Sequence, residues 1–245
     1  MEWVNYAEKI RGVLQLKGSP IAVTFASKAP SGASAARFRV CDAFIKARDG
    51  KIIDLTRETS SCPGGTQYLG LMEPLTGERS AALNDFLVYG EKLFCSYATF
   101  HRMKSLSPKL ATGCADHVIM APLEKAGSRP DLVVLICNAE QACRLLTLDG
   151  YDTGLPVRPY MAGATCYQAI TYSIVTGELN VSMMDYTSRK IRGYKPNDLF
   201  VSVPYHRFHG IVRSIPLCTA GTAKMEVPAS FRAAMRQISG DDVDL

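Results

Sequence analysis

Cys41, Cys62 and Cys166 are the residues of this chain whose neighbours best suit thiolate chemistry. Cys41 opens the amphipathic stretch CDAFIKARD, closed by Gly50, and Cys166 opens CYQAITYSIVT, closed by Gly177. A helix start presents free N–H groups and positive potential, which favour the thiolate that metals require. Cys62 precedes Pro63, Gly64 and Gly65 and a short helix expected over residues 66–71. Glycines let backbone approach a bound group closely, so Gly64 and Gly65 are read as cofactor-binding residues. Cys95, Cys114, Cys137, Cys143 and Cys218 lack such a setting and are read as core, since cysteine is among the most buried residue types.

No CxxC pair occurs, which argues against a zinc ribbon, a thioredoxin-type pair and a ferredoxin-type loop. Thiolates gathered from separate segments suit an iron–sulfur cluster, a [4Fe–4S] centre first, although their softness also permits zinc or copper(I). A non-redox metal protein and a cofactor-free thiol enzyme are the competing readings. His206 and His209 share a helix face at a spacing that can hold a metal, but without a nearby acid such a pair is more often a solvated face. No nucleophile elbow, P-loop or dinucleotide fingerprint is present.

These residues need a frame. Residues 2–17 carry apolar side chains at helical spacing, and Gly18, Ser19 and Pro20 stop the pattern. Short β-branched runs over 21–25, 117–123, 131–137 and 198–203 read as strands, and helices are expected over 139–148 and 205–215. Residues 81–103 form one long helix weakened at Gly90, or two shorter ones. The order predicts an α/β or α+β fold with a layered mixed sheet. The two cysteine units each run helix, glycine, strand, so two quasi-repeated halves, about 1–125 and 126–220, are expected to share one core within a single globular domain of residues 1–245. The acidic tail over 240–245 is expected to fray.

With 245 residues, 47% of them apolar and 21% charged, the chain can bury a core without disulfide staples. The net charge of +5 is scattered, which fits anionic ligands but is no nucleic-acid footprint. No apolar run approaches the roughly 18 to 20 residues of a membrane span, and the N-terminus has no leader pattern. A cytoplasmic protein is expected. Arg189, Lys190 and Arg192 are candidates to hold an anionic ligand beside Asp185.

In their order, these features resemble a known family. The strand over 20–25, Cys41 with Ala43 and Gly50, Cys62 with Gly65, the Leu69-Gly70 pair, Ala121 to Glu124, Pro130-Asp131, the Cys166 helix, Ser182 to Arg189, Asp198-Leu199 and Val203-Pro204 make the chain similar to the domain-of-unknown-function 169 family of prokaryotic proteins, found largely in anaerobes. Its members often carry a further cysteine four residues before the arginine matching Arg189, where this chain has Asp185. The resemblance implies a shared four-ligand site with one thiolate replaced by the Asp185 carboxylate. The resulting expectation is an iron–sulfur protein of anaerobic metabolism, an electron carrier with a redox partner or a cluster-assisted catalyst on a small anionic molecule, and a possible homo-oligomer.

Overall fold

The computed structural model describes residues 2–34, 36–222 and 224–239; the tail over 240–245 lies outside the described residues. In chain order the elements are α1 (Glu2–Leu14), β1 (Ile21–Ala26), α2 (Val40–Arg48), β2 (Ile53–Leu55), α3 (Pro63–Tyr68), α4 (Gly77–Asp85), a π-helical turn (Phe86–Gly90), α5 (Tyr97–Leu106), β3 (His117–Pro122) and β4 (Leu132–Cys137). They continue as α6 (Ala139–Thr153), a second π-helical turn (Tyr167–Thr171), α7 (Tyr172–Thr176), β5 (Asn180–Ser182), α8 (Tyr186–Ile191), β6 (Leu199–Pro204) and α9 (Tyr205–Ser214). The helix expected over 139–148 runs on to Thr153, where Gly154 in the left-handed conformation stops it.

The six strands form one sheet in the order β2-β3-β1-β4-β6-β5. Every pairing between these strands is antiparallel, and parallel contact among the described residues is confined to the bridges Ser34–Ile53 and Phe38–Ser60. The mixed sheet expected from the alternation of strands and helices is therefore corrected to an antiparallel one, and the fold is α+β. Alternation alone cannot give strand direction.

Side-chain alternation along the strands feeds two cores. Leu132 and Val134 face one layer with Ile21, Val23, Val118 and Met120, while Val133, Leu135 and Cys137 face the other. A strand covered on both faces reads as an unbroken apolar run, as LVVLIC does. Helices α1, α6 and α9 cover the second face, and α2 with the Tyr167–Thr171 turn covers the first. The edge strands β2 and β5 each follow a cysteine-bearing helical unit and lie at opposite ends of the sheet. No helix is long and apolar enough to cross a membrane among the described residues.

The stretch over 81–103 resolves as two helices with a break. Gly90 ends the π-helical turn, Lys92 takes a positive φ of 55°, and Ser96 restarts the helix as its N-cap, its hydroxyl accepting the Thr99 amide N–H. This α4–α5 arm lies over the first face, above the cysteines.

Candidate functional site

Cys41, Cys62 and Cys166 line a single cavity of about 180 Å³. Its floor is built by three segments far apart in sequence. Cys41 is the second residue of α2 and is buried, with the Ser188 side chain close to its thiol. Cys62 is the N-cap of α3, where Pro63 occupies the first turn and the Gly65 amide donates to Cys62 Sγ at 3.4 Å. Cys166 immediately precedes the Tyr167–Thr171 π-helical turn, a local widening of the helix that is common at functional sites.

Gly64 and Gly65 also line the cavity, and Gly65 forms its tightest wall. A Cβ at Gly65 would stand 2.9 Å from Val40 Cγ2, 3.3 Å from Cys166 Sγ and 3.7 Å from Cys62 Cβ. The backbone there thus lies directly against two of the three cysteines, a close approach that only glycine permits.

Burial, more than the helix start, sets the thiol chemistry. Burial pushes the Cys41 thiol up to about 11, with the Ser188 side chain and Arg192 opposing. Burial, then the charges of Cys62, Cys41 and Asp185, hold Cys166 well above the ordinary thiol range. The helix-start potential expected to lower these values is outweighed because both side chains leave water. The same interactions place Cys62, Cys41 and Asp185 close enough to Cys166 for their charges to be felt there.

Asp185 lines the cavity as the N-cap of α8, positioned by Met184, whose positive φ of 63° turns the chain. Its Oδ1 accepts the Ser188 amide at 2.7 Å. Its Oδ2 accepts the Thr165 hydroxyl at 2.5 Å, the Thr165 amide at 3.2 Å and the Ser188 hydroxyl at 2.8 Å. Asp185 thereby ties the segment carrying Cys166 to the segment carrying Ser188.

Arg189, read from the sequence as a cofactor-binding residue, does not line the cavity. Its guanidinium donates to the carbonyls of Met183, Asp198, Lys195 and Pro196 and fastens the 183–198 loop. Two residues without a sequence signal take part instead. Arg39 and Glu91 line the cavity beside Asp185. Burial first, then the Asp185 charge, hold the Glu91 carboxyl above its ordinary range, with Arg39 opposing.

The lid comes from the α4–α5 arm. Leu83, Phe86, Leu87, Phe94, Phe100 and Met103 line the cavity, and Phe94 packs where a Cβ on Gly163 would fall, 2.6 Å from its ring. Phe86 nonetheless stays 50% exposed and Tyr89 65% exposed, so the lid is apolar on its outer side as well. Below the thiols, Tyr68 stacks on Tyr167 with ring centroids 4.0 Å apart.

The remaining candidates fall elsewhere. Cys137 and Cys218 are core residues as expected, whereas Cys95, Cys114 and Cys143 are exposed, which corrects their reading as core. Cys143 lies on the outward side of α6, and Cys95 sits in the break before α5, its thiol 3.3 Å from Thr99 Oγ1. His209 Nδ1 is 2.6 Å from the Tyr6 hydroxyl of α1, whereas His206 is exposed. Among the described residues no three His, Cys, Asp or Glu side chains are grouped as a single metal ion requires.

The fold and cavity define a class: an α+β protein with three cysteines in a glycine-walled cavity beneath an apolar lid. Residues 9–214 match the model of the family described as Uncharacterised ArCR, DUF169, and the chain belongs to that family. No curated protein and no solved structure matches the chain.

Proposed function

We propose that the protein binds an iron–sulfur cluster through Cys41, Cys62 and Cys166, as an electron carrier or a cluster-assisted catalyst of anaerobic metabolism. The observation that carries the reading is the convergence of these three cysteines, out of eight, from three separate segments on one cavity. Three soft thiolates match iron in a cluster, and the bare Gly65 wall provides the close backbone approach that a bulky inorganic core needs. A cluster core is wider than one ion and joins thiolates that stand apart. The apolar lid limits water at the site, which favours a stable centre and tunes its potential.

Asp185 supplies the fourth ligand in this reading. Oδ2 is saturated by three donors, whereas Oδ1 accepts one bond among the described residues and keeps a lone pair. Thr165 and Ser188 would then orient a ligating carboxylate as outer-sphere partners do. When bound, the cluster supplies one-electron transfer and, at an iron held by a carboxylate, Lewis acidity. Glu91, kept protonated more readily than an ordinary carboxyl, is placed to give or take a proton inside the cavity. In the competing reading of a cofactor-free thiol enzyme, Cys41 and Cys166 are poor nucleophiles, because burial raises both thiols.

Anaerobic purification followed by an absorption spectrum and iron, sulfide and zinc analysis tests the proposal. Brown protein that bleaches on dithionite, with iron and sulfide in similar amounts, is expected. Stoichiometric zinc without iron would replace the cluster by a structural metal, and colourless metal-free protein would end the metal reading.

A further inference from the structure

A second and larger cavity, about 560 Å³, opens beside the first. Three arginines line it from three different parts of the chain: Arg37 in the loop before α2, Arg57 after β2 and Arg79 on α4. Ser60 and Ser61 add hydroxyls, and no carboxylate lines the cleft. Arg37 donates a long 3.5 Å bond to the Ser60 carbonyl. Arg57 and Arg79 have no ion-pair or hydrogen-bond partner among the described residues. The nearest acid in sequence to Arg57 is Glu58, whose carboxylate accepts the Thr56 hydroxyl and lies outside the lining.

Exposed arginines are commonly solvated surface. Here three of them from separate segments line one concave cleft that no carboxylate lines, which concentrates positive charge there. Guanidinium groups match the paired oxygens of phosphate and carboxylate, so a multiply charged oxyanion is the ligand class that satisfies three of them at once. Pro63, Leu83 and Phe86 line both cavities, so the arginine cleft and the thiol cavity share a wall next to Cys62.

We propose that the Arg37–Arg57–Arg79 cleft binds the anionic end of a small oxyanion-bearing molecule whose uncharged remainder passes Pro63, Leu83 and Phe86 toward the cysteines. The inference deepens the cluster proposal, because it names what reaches that site, and rests on it for the ligand's fate. The cleft itself needs no metal.

Isothermal titration with inorganic pyrophosphate and, separately, with tricarballylate, on metal-free and metal-loaded protein, tests it. Saturable binding of at least one probe, one per chain, is expected in both forms. Arg57→Gln/Arg79→Gln should weaken it by about tenfold or more, since two charge-assisted contacts are lost. Both side chains are exposed, so the variant should fold. Lys9→Gln/Arg232→Gln removes two charges elsewhere and should leave binding unchanged. A second readout is alkylation of Cys62 in metal-free protein. Anionic iodoacetate should outpace its ordinary ratio to neutral iodoacetamide, and that ratio should drop several-fold in the Arg57/Arg79 variant. Preference for one probe would identify the anion as phosphate or polycarboxylate. No saturable binding of either probe, unchanged binding in the Arg57/Arg79 variant, or equal weakening by the control pair would overturn the proposal. Anion binding intact in a protein that never takes up iron would instead sink the cluster reading alone.

Discussion

Gly64 and Gly65 are adjacent glycines in one short helix, and the cavity makes opposite demands on them. In Gly65→Ala the new methyl meets Val40 Cγ2 at 2.9 Å and Cys166 Sγ at 3.3 Å. Val40 is fully buried at the start of α2, and its β-branched side chain has little rotamer freedom to withdraw. Overpacking of this kind costs about 1–3 kcal/mol. Replacing glycine inside a helix returns up to about 1 kcal/mol, so a net loss of up to roughly 2 kcal/mol is expected. In Gly64→Ala the nearest atom is Tyr68 Cε2 at 3.7 Å, an ordinary contact, so only the gain of up to about 1 kcal/mol applies. Urea unfolding of the metal-free variants should therefore separate their midpoints in opposite directions from wild type. Gly65→Ala should also lower iron content, because Cys166 Sγ must shift. Val40→Ala in the Gly65→Ala background should recover part of both losses, the signature of direct contact between neighbours. Equal midpoints for the two alanine variants, or no recovery with Val40→Ala, would refute the argument that Gly65 is the close wall of the site.

Four further outcomes follow from the same geometry. Cys41→Ser, Cys62→Ser and Cys166→Ser should each lose most of the metal and some solubility, whereas Cys143→Ser, on an exposed position, should keep it; metal analysis of the purified variants decides this. The metal-free protein should weaken in alkali. An unfolded cysteine loses its proton near 8.5 while folded Cys41 holds its proton to about 11, so above 8.5 the unfolded chain is favoured, by about 1.4 kcal/mol per pH unit and roughly 3 kcal/mol in all. Denaturant titrations from pH 7 to 10.5 should show a shallower fall in Cys41→Ser, and the metal-loaded protein should lack this contribution, its thiols having been deprotonated on binding. Arg189→Gln should cost about 1–2 kcal/mol by removing the guanidinium that fastens four carbonyls, with iron per folded chain unchanged; a selective loss of iron would place Arg189 at the site. Asp185→Cys should make the cluster more resistant to air than wild type, and Asp185→Ala should yield one that sheds iron; identical electron paramagnetic resonance spectra in all three would confine Asp185 to its capping role.

The parts of the site legible in sequence were those whose signal is local. Cys41 and Cys62 announce themselves by helix-start and glycine contexts, and apolar runs such as LVVLIC give the strands because their period and branching are local properties. What depends on where remote segments meet left no mark. Arg189 sits in a short basic run that reads as a ligand-binding patch, yet the loop over 183–198 wraps its guanidinium in carbonyls. Arg39 and Glu91 join the cavity only because the α4–α5 arm folds over α2. The thiol acidity also escaped the local rule, since the helix-start potential is a sequence property and burial is a tertiary one. Cys143 looks like any core cysteine until α6 is oriented on the sheet.

The strand order sets the timetable of synthesis and folding. β1 lies between β3 and β4, and Ile21 pairs with Pro122 on one side and Val134 on the other. As the chain emerges, the apolar strand IAVTFA, which ends at Ala26, therefore has neither neighbour until β3, beginning at His117, has been made. Over that interval it is an unpaired, aggregation-prone edge that a chaperone or the ribosome surface must shield. Cys41 and Cys62 emerge in the same early stretch, ahead of both Cys166 and the completed sheet that supports them. The cavity that these cysteines line is therefore completed only late in synthesis, and production in the cell should respond to slower synthesis and chaperone supply.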